Sequence, residues 1–241
     1  VFSGAMYKAE MLTRITILLN GLEIAQKTWI LDKTLQTPPK FHSTNFIGQQ
    51  YFELMPGKVV VHFEAVDVNE TTSKYSKEFE IFIEEFNKTS LILSDLQLSN
   101  EILTSKTKSS TQREKFNYSV LPNPFSEVIG VNPKLNMYCE VYLSSKSDFS
   151  KDSVLVVYTL SDAVKRTLFS KKQSISRSLP IQPLVYTLGL DSIPTGVYYF
   201  SVDALHNTKK VSSKEKKFYL LNPNISPAIS GVFSEDELFE K

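Results

Sequence analysis

Three histidines and one cysteine are the side chains of this 241-residue chain with the most direct reach into metal binding or nucleophilic catalysis. His42, His62 and His206 stand far apart, without the close pairing that a zinc site draws from one element. His62 falls between Val61 and Phe63 in an alternating run and is expected on the solvent side of a strand. His206 precedes Asn207 in an expected hairpin turn. Cys139 lies in Tyr138-Cys139-Glu140-Val141-Tyr142, whose alternation marks a strand, and no histidine motif stands near to activate it. A single cysteine also excludes an internal disulfide and a cysteine-based zinc site. Ser and Glu are plentiful, but no Gly-x-Ser-x-Gly, Gly-rich phosphate loop, His-Glu-x-x-His or EF-hand loop gathers them. The sequence therefore nominates no catalytic, cofactor-binding or metal-ligating residue and no cofactor, and the expectation is a module that is not an enzyme.

Charge narrows the partner class. Lys and Arg total 27 against 26 Asp and Glu, and a net charge of +1 supplies no general pull toward polyphosphate or anionic lipid. The basic clusters Lys106 to Lys115, Lys171-Lys172 and Lys209 to Lys217 lie near aromatics, which would suit a polyanion track. Those aromatics have strand periodicity, and Glu127, Glu140 and Glu215 balance the charge, so solvated strand faces and edge-protecting lysines are favoured over nucleic acid. No run of 18 apolar residues is present, and no membrane-spanning helix is expected from this sequence. A protein partner or a cell-surface component is the expected ligand class. Asn69-Glu70-Thr71, Asn87-Lys88-Thr89, Asn117-Tyr118-Ser119 and Asn224-Ile225-Ser226 match the glycosylation acceptor pattern, at a frequency this Asn-, Ser- and Thr-rich chain produces by chance.

The elements that would position any site are strands. Runs of Val, Ile, Tyr, Phe and Thr recur at 12–19, 22–31, 58–66, 79–83, 91–98, 116–121, 137–143, 154–160, 184–190, 197–205 and 218–221. Val59, Val61, Phe63 and Ala65 alternate with Val60, His62 and Glu64, the period of a half-buried strand. With 41% hydrophobic and 22% charged residues the chain has the composition of folded domains. The expected class is all-β: two tandem immunoglobulin-like or fibronectin-III-like β-sandwich domains.

A repeat supports the division. Shifting the chain by 139 residues lays Ile15 to Leu19 on Val154 to Tyr158, Gln26 to Ile30 on Lys165 to Phe169, and Gly57 on Gly196. Val59, Val61, Phe63 and Ala65 then fall on Tyr198, Phe200, Val202 and Ala204, and Phe79 on Phe218. The expected domains are residues 1–87 and 91–223, with Asn87 to Ser90 as a polar joint and 224–241 as a linker leading to a helix. Val61, Phe63, Phe79, Phe200, Val202 and Phe218 are expected to face the cores. The second copy has about forty residues ahead of the matching stretch, so the first is expected to lack an opening strand, leaving an exposed sheet edge. Ser234 and Glu237 form a capping box ahead of Leu238, which predicts the start of a further helix. Residues 104–115 read as a mobile polar loop.

Leu93-Ser94-Asp95-Leu96-Gln97-Leu98, Val120-Leu121-Pro122-Asn123-Pro124, Tyr138 to Tyr142, Ile193-Pro194-Thr195-Gly196-Val197-Tyr198 and Lys217 to Pro223 resemble the region ahead of the GWxTD domain in bacterial GWxTD-domain-containing proteins. Trp29 and Leu54-Met55-Pro56-Gly57-Lys58 look like their preceding domain. The resemblance implies an exported protein of the periplasm or cell surface, with β-sandwich modules followed by a helical domain. The Gly-Trp-x-Thr-Asp motif itself is absent, and Trp29 is the only tryptophan, so no functional residue carries over. The expected function is a binding or spacer module, with a carbohydrate-binding module or an accessory domain of a larger enzyme as the alternative.

Overall fold

A computed structural model describes residues 7–35, 46–85, 91–104, 114–143, 153–176, 179–206 and 208–225. His42, the Asn87 acceptor and joint, most of the polar loop at 104–115, and the helix expected near Leu238 lie outside them. The described secondary structure is all β, in three sheets, and the chain divides into units at residues 1–85 and 86–241.

The first unit contains β1 (Tyr7–Leu19), β2 (Leu22–Leu35), β3 (Gly57–Asp67) and β4 (Lys74–Ile83), paired antiparallel in the order β2-β1-β3-β4. Asn20 and Gly21, with φ of 52° and 77°, make the two-residue turn of the first hairpin. Both positions need positive φ, which Asn and Gly tolerate best. One face carries Ile17, Val59, Val61 and Ala65, all buried, while Arg14–Glu64 and Lys58–Glu80 ion pairs mark the other. His62 shares this second face, opposite Thr16 and Glu78, as its alternation implied. Among the described residues the unit is one sheet, and the paired layer of a sandwich is not among them.

The second unit is a two-layer sandwich. One sheet takes β5 (Leu91–Leu93), β6 (Gln97–Thr104), β7 (Glu114–Lys115), β8 (Tyr118–Pro122), β10 (Lys134–Leu143) and β13 (Ile181–Gly189), ordered β13-β10-β6-β8-β7 with β5 on β10. The other takes β9 (Glu127–Ile129), β11 (Val154–Asp162), β12 (Thr167–Ile175), β14 (Gly196–His206) and β15 (Lys209–Leu221), ordered β12-β11-β14-β15-β9. Leu98, Met137, Cys139, Val141 and Leu184 from the first layer meet Val156, Tyr158, Phe200, Val202 and Phe218 from the second in one core. Tyr198 donates its hydroxyl to the Pro194 carbonyl at 2.7 Å, the tyrosine-corner arrangement of immunoglobulin-like sandwiches.

The ladders correct the gapless register. Gly57 lies opposite Ile83 and Gly196 opposite Leu220, so the counterpart of Phe218 is Ile81, and Phe79 corresponds to the exposed Lys216. Phe79 is accordingly 43% exposed, not a core residue, and Phe63 is half-buried, whereas Val61, Phe200, Val202 and Phe218 are buried as expected. Ala65 pairs with Thr13 and Ala204 with Val156, so Thr13, not Ile17, stands where Val156 does. Lys165 and Arg166 sit in the β11–β12 turn, not in a strand matching Gln26 and Lys27. Asp162 holds that turn, accepting from the Val164 and Arg166 amides at 3.1 and 2.8 Å and from Arg166 Nε at 2.7 Å. Desolvation works to raise the Asp162 pKa, but the hydrogen bonds and charge of Arg166 outweigh it and hold the carboxyl below its ordinary value. The shifts of β1 and β4, by four and two residues, keep each side chain on its face, whereas β2 shifts by five, so that Trp29 opposite Thr13 corresponds to Gln173 opposite Val156 and Ala25, not Ile30, corresponds to Phe169.

Candidate binding face and the Glu140 network

The sequence nominated no site residue. Among the described residues no cluster of His, Cys, Asp and Glu has metal-holding geometry. Cys139 is a core residue of β10 with no exposure, and burial, followed by the nearby Glu140 charge, pushes its thiol up to about 12. At neutral pH it is a protonated thiol, and the thiolate is the nucleophilic form.

The densest set of titratable groups stands on the opposite face of the same strand. Tyr138 donates its hydroxyl to Glu140 Oε1 at 2.7 Å, and Tyr142 donates to Oε2. Lys115 places its ammonium 4.9 Å from the centre of the Tyr138 ring and donates to Gln97 at 2.7 Å. Desolvation first, then the hydrogen bond and charge of Glu140, raise both tyrosines above their ordinary range. Desolvation lowers Lys115, opposed by Glu140. Two neutral hydroxyls hold one carboxylate, and Ser94 ties the strand to the β5 end through the Glu140 amide at 2.9 Å. The arrangement fixes β10 against β5 and β6. Its signal was present in the sequence as Tyr, Glu and Tyr at every second position, but alternation says nothing about hydrogen bonding.

The outer face of the sheet β12-β11-β14-β15-β9 differs in being open and mixed in character. Its register places Ser161, Tyr199 and Lys217 in one row and Ser170, Thr159, Ser201 and Glu215 in the next. Lys165 caps the Tyr199 ring with its ammonium 3.0 Å from the centroid and pairs with Glu215. Lys217 lies 5.4 Å from the centre of the Tyr219 ring. Asp203 accepts from Ser213 and pairs with Lys210 at 2.9 Å. Two half-buried tyrosine rings amid hydroxyls and paired charges thus stand on a rigid sheet. The basic clusters of the sequence are divided by it: Lys171 and Lys172 lie on the edge strand β12 and Lys209 to Lys217 along β15.

No family model and no curated protein matches this chain. Solved structures similar to it include a glycosyl hydrolase family 2 member from Bacteroides cellulosilyticus, at 11% identity and a TM-score of 0.37, covering 89% of this chain and 26% of that one. Dimeric latent PorU from Porphyromonas gingivalis is similar at 11% identity and a TM-score of 0.35, over 90% of this chain and 18% of that one. Red sea bream transglutaminase gives 10% identity and a TM-score of 0.28, over 91% and 28%. The chain spans less than a third of the length of each of these three.

Proposed function

We propose that this chain is a non-enzymatic binding or spacer module of an exported cell-envelope protein of the GWxTD-domain-containing type, acting through the surface of its second unit. The observation that carries the reading is the outer face around Tyr199 and Tyr219, where aromatic rings, hydroxyls and paired charges are presented on a sheet braced from behind by a fully packed core. Such a surface is set up for contact, whereas catalysis needs polar groups converging in a concavity. The titratable groups of the Glu140 network serve to hold one another.

A carbohydrate ligand is the second reading, favoured by the same two rings. Sugar C–H faces stack on aromatic rings while neighbouring hydroxyls and charged groups bond the sugar hydroxyls, and Ser161 stands in the row of Tyr199 and Thr159, Ser201 and Glu215 in the next. A combined screen for glycan binding and hydrolase turnover on the purified chain decides between these. Turnover that survives repurification and disappears on a point substitution overturns the module reading. Glycan binding lost in Tyr199→Ala and Tyr219→Ala, without turnover, selects the carbohydrate reading. Retention of an envelope protein that is lost in the same variants supports the first.

A further inference from the structure

We propose that Lys115 and Gln97 form an intramolecular cross-link, in which Lys115 Nζ displaces the side-chain nitrogen of Gln97 as ammonia and Glu140 carries the protons. Lys115 Nζ donates to Gln97 Oε1 at 2.7 Å, so amine and carboxamide already stand in contact although 18 positions separate them in sequence. A turn and a bulge bring them there. Phe116, at φ 54°, and Asn117 close the two-residue turn that pairs Lys115 with Tyr118 of β8, and a register shift between Ser99 and Glu101 accompanies the passage of β6 from β10 to β8. Gln97 lies opposite Tyr138, and Lys115 caps that ring with its ammonium 4.9 Å from the centre. Three strands, β6, β7 and β10, therefore meet at one side-chain cluster.

Transamidation needs a neutral amine, a carboxamide held against it, a group that moves protons and little competing water. The cluster meets each requirement. Lys115 and Gln97 are half-buried and Tyr138 is 1% exposed, and desolvation shifts Lys115 toward the neutral amine against the opposing charge of Glu140. Glu140 is the acid whose charge acts on Lys115, and the hydroxyls of Tyr138 and Tyr142 hold both its oxygens. The carboxylate takes a proton from the ammonium, and the Nζ lone pair attacks Gln97 Cδ. As the bond from Cδ to Nε2 breaks, the carboxyl returns that proton to Nε2, and the second proton lost by the attacking nitrogen leaves with the ammonia. One ammonium and one carboxamide thus become one secondary amide and one ammonium ion, so neither an oxidant nor an activated co-reactant is required. The product ties β7 to β6, and closing the chain between 97 and 115 restricts the unfolded state in favour of the folded sheet.

The test is intact-mass spectrometry of the 241-residue chain after incubation at mildly alkaline pH, followed by complete proteolysis. The expectation is a mass below that of the sequence by one ammonia, and a branched peptide joining the segment of Gln97 to that of Lys115. Lys115→Arg and Gln97→Glu should each keep the mass of their own sequences, because a guanidinium stays charged and a carboxylate offers no leaving nitrogen. Glu140→Gln keeps an acceptor for the tyrosine hydroxyls but no titrating oxygen, and should slow the cross-link about a hundredfold or more with the near-ultraviolet circular dichroism unchanged. A parent that keeps its full sequence mass after prolonged incubation overturns the proposal, and that measurement decides even where a variant does not fold. Ammonia loss that maps to an asparagine succinimide, and not to the pair of residues 97 and 115, overturns it as well. Cross-linking at the parental rate in Glu140→Gln overturns the role given to Glu140. Because Tyr199 and Tyr219 lie on the other sheet, none of these outcomes bears on the binding face.

Discussion

The rings of Tyr158 and Tyr186 stack 4.3 Å apart at an interplanar angle of 12°, joining the two sheets of the second unit across its core. Tyr158 is fully buried on β11, while Tyr186 on β13 is half-buried and extends the stack to Phe200, 6.0 Å away. A double-mutant cycle with Tyr158→Leu and Tyr186→Leu should give a coupling energy of about 0.5–1.5 kcal/mol beyond the burial lost by each change. Urea unfolding of the four proteins measures it, and a coupling indistinguishable from zero would show that the stack contributes only through area.

The corrected register makes opposite forecasts for two phenylalanines that the sequence treats alike. Phe200→Ala should cost about 3–5 kcal/mol, because a fully buried ring leaves a cavity between two packed sheets. Phe79→Ala in the same chain should cost less than about 1 kcal/mol, since its ring is already substantially in water. Comparable losses in the two variants, measured in the transition of the unit that carries each, would refute the pairing of Phe79 with Val61.

Asn222 is 1% exposed, and its amide nitrogen reaches the carbonyls of Leu190, Asp191 and Ile193 at 3.3, 3.1 and 2.9 Å. Its amide oxygen accepts from Asn224 at 3.2 Å. The turn entering β14 is thereby tied to the end of β15. Asn222→Ala strands several carbonyls away from water and should cost about 2–3 kcal/mol. Asn222→Asp, which replaces the donor by an acceptor facing those carbonyls, should cost at least as much. Thermal melts of the two variants test this, and an Asp variant as stable as the parent would contradict the assigned amide orientation.

Alkaline stability follows from groups whose folded pKa values are raised. The Cys139 thiol ionises near 9.0 when unfolded and at about 12 when folded. Its contribution is therefore complete below pH 9 and declines as pH rises from there toward 12. Tyr138, Tyr142, Tyr158 and Tyr198, all raised chiefly by desolvation, add to the decline above their ordinary value of 10.0. Cys139→Val removes the thiol part alone. Between about pH 8 and about pH 11 the parent should lose about 2–3 kcal/mol more than the variant, and parallel pH profiles would disprove the shift.

The all-β class and the face on which most core residues lie were legible from periodicity alone. A strand presents alternate residues to opposite sides, so the spacing of Val59, Val61 and Ala65, or of Met137, Cys139 and Val141, already selects the buried face. For β1 and β4, which residue stands opposite which was not legible, because a slip of two or four residues leaves every side chain on the same face. Turns decide it. Asn20-Gly21 closes the first hairpin in two residues, where Asp162 organises a longer turn in its counterpart. Val66 faces Lys74 across a long connection, where His206 faces Lys209 across a short one. Those turn lengths moved Phe79 away from the position of Phe218. The Tyr138–Glu140–Tyr142 network and the Lys165 cap on Tyr199 also belong to tertiary structure, since the first depends on hydroxyl direction and the second joins residues 34 positions apart. Local period chooses a face, and only closure of the chain on itself chooses the neighbour.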